Sequence, residues 1–387
     1  MSLTKQSDAN IIILMIAIAI IGCNSFLISP ILNDIAAGLS ASTTEVSIAI
    51  SAYGGATAFS SLFIAPYTGK IGETRTIRLA GLLMVAGIIL SAMSMSWWML
   101  TLAQTLTGVA AGLMLPAIYS VASHIAPKGK ESAALGKVIT GWSLAMVVGI
   151  PLSATIADIS NWRCAYLILA ILGLVFLFFS RKLPVIETDA EKTGFPLKEY
   201  CQQPAILMMF VITLLYMTSF YGLYSFIGTF ARNSFNDSAS LAGLITMAYG
   251  IGFGLASLKS HWIDKFGAHA CASIIFIIIS TVYMIIALNS SSLSVLLIIC
   301  LLWGGVNHFG LNVIVSLLIQ LSSGYKTATL GIYSALSYGG TMIGGLIYGY
   351  IFTHYGFSTI AIISFLLCFI CSAMAWFCFN LKGITQN

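Results

Sequence analysis

Charge is what this chain has least of. Lys, Arg, Asp and Glu make up only 7% of its 387 residues, against 59% hydrophobic ones, where a soluble domain carries roughly 25% charge. That shortage excludes an ordinary water-soluble fold. Strict apolar/polar alternation is also missing, which excludes the strands of an outer-membrane barrel. The eight cysteines show neither zinc-ligand spacing nor a disulfide framework, so small apolar packing accounts for them. No nucleophile, base or metal-ligand set clusters in the sequence, which argues against an enzyme, a metal site or a cofactor.

Long apolar runs fill the chain instead. They read as spans at about 10–33, 44–66, 76–96, 98–123, 133–157, 162–181, 205–230, 239–259, 269–289, 293–320, 327–351 and 356–380. Each is long enough to cross a hydrocarbon layer of ~30 Å as a helix. The first run has no small-residue cleavage site and is too long for a signal-peptide core, so it is read as retained. The expectation is an all-α membrane protein with twelve transmembrane helices.

The few cations set the orientation. With the N-terminus inside, only Arg163 and Arg232 of the 17 Lys and Arg residues fall in outside links. Both termini are therefore expected in the cytoplasm, and the net charge of +5 reflects topology rather than nucleic-acid binding. The partners expected are the lipid bilayer, a small-molecule substrate and protons. A single chain is enough to work as a monomer.

One polar segment, Lys182 to Gln203, divides the chain into halves that align at an offset of 195 residues. Lys70 falls on Lys265, Gly72 on Gly267, Leu135-Gly136 on Leu330-Gly331, and Gly149 on Gly344. A duplicated six-helix unit follows: residues 1–184 form one bundle, 185–203 a cytoplasmic linker and 204–387 the second bundle. Two pseudo-symmetric bundles suit a transporter that rocks about a site at mid-membrane.

At this point the chain resembles the major facilitator superfamily, in particular its drug:proton antiporter and sugar-efflux branch. The link between the second and third helices of that family reads Gly-x-Leu-Ala-Asp-Arg-x-Gly-Arg-Arg. Here Lys70 and Gly72 match, Gly69 stands at the acidic position and Glu73 at a basic one. The second copy keeps the acid, as Asp264-Lys265-Phe-Gly267. The resemblance makes these links gates, with Asp264 the better latch. In the fifth helix, Gly141, Ala145 and Gly149 share a face ahead of Pro151. Small residues at four-residue spacing let backbones approach closely, proline bends the helix, and the family associates this pattern with export. The glycine faces of the fifth and eleventh helices are expected to be sliding seams. The fourth helix departs from the family: Gln104 stands where many members carry an Arg implicated in proton transfer.

None of the twelve carboxylates falls at a span centre, although an intramembrane acid is the usual proton carrier. Asp34 lies at the outer end of the first helix, as a proton-coupling candidate or as a cap. His308 lies near a span centre, and Gly304, His308 and Asn312 share a helix face. Because His changes charge between about pH 5 and 8, it is a candidate for substrate or proton contact, with packing the alternative. In the superfamily the first, fourth, seventh and tenth helices line the cavity. Here they offer Asn24, Gln104, Thr107, Tyr216, Phe220, Tyr224, Asn307, His308 and Asn312 as the candidate substrate lining. That lining is neutral and aromatic, which favours a neutral or amphipathic solute.

Overall fold

A computed structural model describes residues 3–126, 131–185, 200, 202–235, 238–259, 261–288, 292–322 and 326–380. Among the described residues, twelve helices are long and apolar enough to cross a bilayer. They are α1 Asp8–Leu27, α2 Thr43–Thr68, α3 Glu73–Ala92, α4 Trp97–Ile125, α5 Ala134–Ile159 and α6 Trp162–Ser180, followed by α7 Pro204–Ser234, α8 Ala239–Ser257, α9 Ala268–Leu288, α10 Leu293–Leu321, α11 Ala328–Tyr355 and α12 Phe357–Phe379. Most of the expected linker, 186–199 and 201, lies outside the described residues. The helices end on two faces. The "basic face" carries the links after α2, α4, α6, α8 and α10, and the "far face" carries the others.

Helices α2, α5 and α11 are not uniform. Wide π-helical turns interrupt them at Ser60–Ile64, Ala145–Gly149 and Gly344–Tyr348. Pro66 and Pro151 follow the first two turns closely. A proline ring removes one N–H bond and crowds the carbonyl four residues earlier, and the extra residue of a π turn relieves that crowding.

The duplication is visible in the backbone. Gly72 and Gly267 both adopt positive φ, 89° and 82°, a conformation that glycine reaches without steric cost. The two aligned links therefore turn alike, and the 195-residue repeat is structural.

Packing separates two kinds of small-residue seam. Gly141 faces the backbone of α1 at Met15, Ala145 meets Gly22, and Gly149 faces Cys23. The small face of α5 is thus seated on α1 of its own half. Across the halves, α8 brings the glycines: Gly243 lies against Pro151 and Ala154, and Gly250 against Met146. On the other side Gly54 and Gly55 of α2 meet Thr341 and Met342 of α11. Helix α11 serves both purposes, with Gly340 and Gly344 on α7 and Gly345 on Ser47 and Ser51 of α2.

Candidate functional site

Each half holds a buried polar knot. In the first, the Asn24 amide donates to Gln104 Oε1 at 3.2 Å and to the Thr107 hydroxyl at 3.1 Å. Gln104 Nε2 donates onward to the Ser91 hydroxyl at 3.0 Å and toward Tyr166 at 3.4 Å. In the second, the Tyr216 hydroxyl donates to Asn307 Oδ1 at 2.6 Å, and the Asn307 amide donates to the Tyr249 hydroxyl at 2.7 Å. These groups are almost wholly buried, and buried polar groups need such partners to offset lost hydration. The structure therefore brings Asn24, Gln104 and Thr107 together, and Asn307 with Tyr216, each set inside its own half.

The α7 aromatics of the candidate lining, Tyr216, Phe220 and Tyr224, turn into the same interior. Phe220 and Tyr224 pack on Tyr249 at 5.6 Å each, and both reach Trp303 of α10, which is fully buried. Ring pairs in offset or edge-to-face geometry are worth ≈0.5–1.5 kcal/mol beyond their area. His308 lies one residue from Asn307 but contacts other groups. Its Nε2 meets the Asn312 amide at 2.7 Å, and its ring lies edge-on to Phe253 of α8 at 4.8 Å.

A second aromatic set crosses between the halves. Phe26 of α1 stacks on Tyr221 of α7 at 5.8 Å and 12°, meets Tyr224 at 5.0 Å, and lies edge-on to Trp142 of α5 at 6.2 Å. The Trp142 indole points to the Tyr119 hydroxyl at 3.4 Å. Tyr53 of α2 meets Tyr338 of α11 at 6.2 Å. Tyr119, Trp142, Tyr221 and Tyr333 remain partly exposed. Sequence reasoning missed this set, because its rings come from separate helices; only the 16 tyrosines hinted at it.

Toward the far face the halves are tied by hydrogen bonds. Ser29 donates to the Tyr224 carbonyl at 2.7 Å, and the Asn33 amide donates to Asn233 at 3.1 Å. Asp34, the candidate acid after α1, pairs with Arg232 of α7, with Nη2 to Oδ1 at 2.9 Å and a shorter Nη1–Oδ2 contact. Asp158 at the end of α5 accepts from the Ser238 hydroxyl at 2.7 Å and from the N–H groups of Ala239 and Ser240 at 2.7 and 2.6 Å. Thr44 and Thr353 meet at 2.7 Å.

At the basic face the described bonds stay within one half. Arg78 donates to the Arg181 and Leu183 carbonyls, Lys137 pairs with Asp8, and Tyr200 meets Thr329. Glu73, the departure in the first gate link, takes a short hydrogen bond from Ser120 of α4 and lies 4.0 Å from His124 Nδ1. The side chains of Lys70 and Asp264 lie outside the described residues, while Lys265 is exposed and reaches over the Phe266 ring.

A family model described as Major Facilitator Superfamily matches residues 14–323 and again 209–384. An uncharacterized MFS-type transporter of Bacillus subtilis (strain 168), YwfA, is 25% identical over 354 residues, covering 88% of this chain and 85% of that one. In fold, the chain is similar to a bacterial homolog of the human lysosomal transporter Spinster, solved in an inward-facing and unoccupied conformation. The TM-score is 0.73 at 14% identity, over 97% of this chain and 98% of that one. Twelve spans, an internal repeat and the family match agree: the chain is a multi-pass membrane transporter that belongs to the Major Facilitator Superfamily.

Proposed function

We propose that this transporter exports a small neutral or amphipathic solute by alternating access, as a member of the drug:proton antiporter and sugar-efflux branch. The observation that carries the reading is the inter-half aromatic set of Phe26, Tyr53, Tyr119, Trp142, Tyr221 and Tyr338. These side chains supply ring faces and hydroxyls without a formal charge. A flat or amphipathic solute gains stacking and hydrogen bonds there, whereas a strongly charged one would lose hydration without a counter-ion. The basic face is taken as cytoplasmic in an inner (plasma) membrane, so closure at the far face makes this the inward-facing state. The buried polar knots around Asn24 and Asn307 then act as rigid walls behind the rings.

An uncoupled facilitator is the second reading. It is favoured by Gln104, which is committed to neutral hydrogen bonds where a family Arg would stand. Transport by the purified protein in proteoliposomes, with a panel of neutral amphipathic solutes and an imposed pH gradient, tests both readings. Export predicts flux that follows the gradient and fails in Trp142→Ala. Flux that ignores the gradient selects the facilitator, and flux of charged solutes alone rejects the neutral-solute reading.

A further inference from the structure

The far-face seam is built twice, in two chemistries. At an offset of 195 residues, Asp158 of α5 corresponds to Thr353 of α11, and Thr44 of α2 corresponds to Ala239 of α8. Both pairs are in contact across the halves: Thr44 with Thr353, and Asp158 with the start of α8. One copy is a neutral hydroxyl pair. The other is a carboxylate on the opening turn of a nineteen-residue helix.

The helix starts differ to match. Helix α2 caps itself, because Ser42 accepts from the Glu45 N–H and Glu45 reaches back to the Ser42 N–H at 2.8 Å. Helix α8 makes no such bond with its own Ser238 side chain. Its position equivalent to Glu45 is Ser240, and the acid arrives from Asp158 in the other half. The free N–H groups and the helix dipole favour a negative charge at this place, and bonds to an ionised acceptor are about twice as strong as neutral ones.

We propose that Asp158 is a proton-sensitive latch of the outer face: ionised, it caps α8 of the opposite half and holds that face shut, and protonation from outside releases it. The sign follows from linkage. The closed interface binds the charged form, so acid outside favours the outward-open state and proton uptake accompanies opening. This rests on the alternating-access reading, and it supplies a titrating group where the span centres have no carboxylate. The other charged groups nearby are engaged elsewhere. Arg163 of α6 donates to the Ser94 carbonyl and lies over the Trp162 ring, while Asp34 and Arg232 hold each other. Asp237, just before α8, lies outside the described residues.

The test is a spin-label distance across the far face, between Met95→Cys of the first half and Leu288→Cys of the second, in full-length protein with its native cysteines replaced. Both positions are exposed. The bonds from Ser238, Ala239 and Ser240 favour the ionised Asp158 carboxyl in the closed state. In the otherwise unaltered chain the ratio of long to short distance is therefore expected to stay level from about pH 8 to 5. It should rise as pH falls through the ordinary carboxylate range of about 4, by up to about tenfold per unit for one linked proton. Asp158→Asn is expected to flatten the profile and raise the long distance throughout. Ser240→Pro removes one N–H donor in the first helical turn, where proline is tolerated, and is expected to weaken closure with the carboxylate still in place. Thr44→Val with Thr353→Val should loosen closure and keep the pH slope. A slope that survives Asp158→Asn, or that disappears only in Asp34→Asn, overturns the latch. Two distances in a pH-independent ratio reject the latch and leave alternating access standing. One fixed far-face distance under every condition rejects alternating access as well.

Discussion

Ser29 donates its hydroxyl proton to the backbone carbonyl of Tyr224, at 2.7 Å. The two residues are separated by 195 positions, the repeat of the chain, so Ser29 touches its own counterpart in the other half. A residue can contact its symmetry mate only at the symmetry axis. The pseudo-twofold axis therefore passes between α1 and α7 at this bond, and movement of one half against the other pivots around it or breaks it.

Ser29→Leu should wedge the axis open. A single hydrogen bond is worth about 0.5–1.5 kcal/mol, and the larger side chain adds overpacking of about 1–3 kcal/mol against the α7 backbone at Tyr224 and Ser225, whose carbonyls the Ser29 hydroxyl meets. The ratio of far-face-open to closed molecules is expected to rise at least about fivefold, read from spin-label distances. Ser29→Ala should give a smaller shift in the same direction.

The two kinds of glycine seam should respond differently to bulk. Gly250 meets Met146 of the other half, whereas Gly141 meets the Met15 backbone of its own. Gly250→Leu is expected to keep thermal stability within a few degrees and to block far-face closure. Gly141→Leu must separate α5 from α1 inside a bundle, so a lower melting temperature and poor yield are expected. Equal effects of the two substitutions on closure would remove the distinction between static and moving seams.

The Tyr216–Asn307–Tyr249 knot should behave as structure. Asn307→Ala takes the amide donor from the buried Tyr249 hydroxyl, at about 1–3 kcal/mol at most, while the Tyr216 hydroxyl keeps its bond to the carbonyl of residue 307 at 3.0 Å. Tyr216→Phe removes one donor and should cost less, and a double-mutant cycle should show strong coupling. Thermal melting in detergent reads these values. Transport by Tyr216→Phe should fall in proportion to folded protein and no further, whereas Trp142→Ala should lose transport with its melting temperature preserved.

Much of the architecture was legible in the residues. Hydropathy places the twelve spans within four residues, because a bilayer demands long apolar helices. The exception is the first helix, which ends at Leu27, six residues before the expected 33. The pairs Gly72/Gly267 and Lys70/Lys265 expose the duplication, and the positive φ of both glycines gives the pattern a physical cause. Partners were less legible. The spacing of Gly141 and Gly149 announces close packing but cannot say against which helix, and it is α1. Asp34 reads as a helix-end acid, and only the fold brings Arg232 to it from 198 positions away. The rings of Phe26, Trp142, Tyr221 and Tyr338 come from four separate helices, so no local pattern unites them. His308 and Asn307 are neighbours in sequence, yet a turn of about 100° per residue sends their side chains to different contacts.

The most direct measurement follows both faces in the same protein. One label pair joins Met95 and Leu288 at the far face, and a second joins Tyr67 and Leu258 at the basic face, all four exposed. Alternating access about the Ser29–Tyr224 axis predicts opposed changes: every condition or substitution that lengthens the far-face distance shortens the basic-face distance. Distances that lengthen together, or a far face that opens while the basic face stays unchanged, would contradict the account.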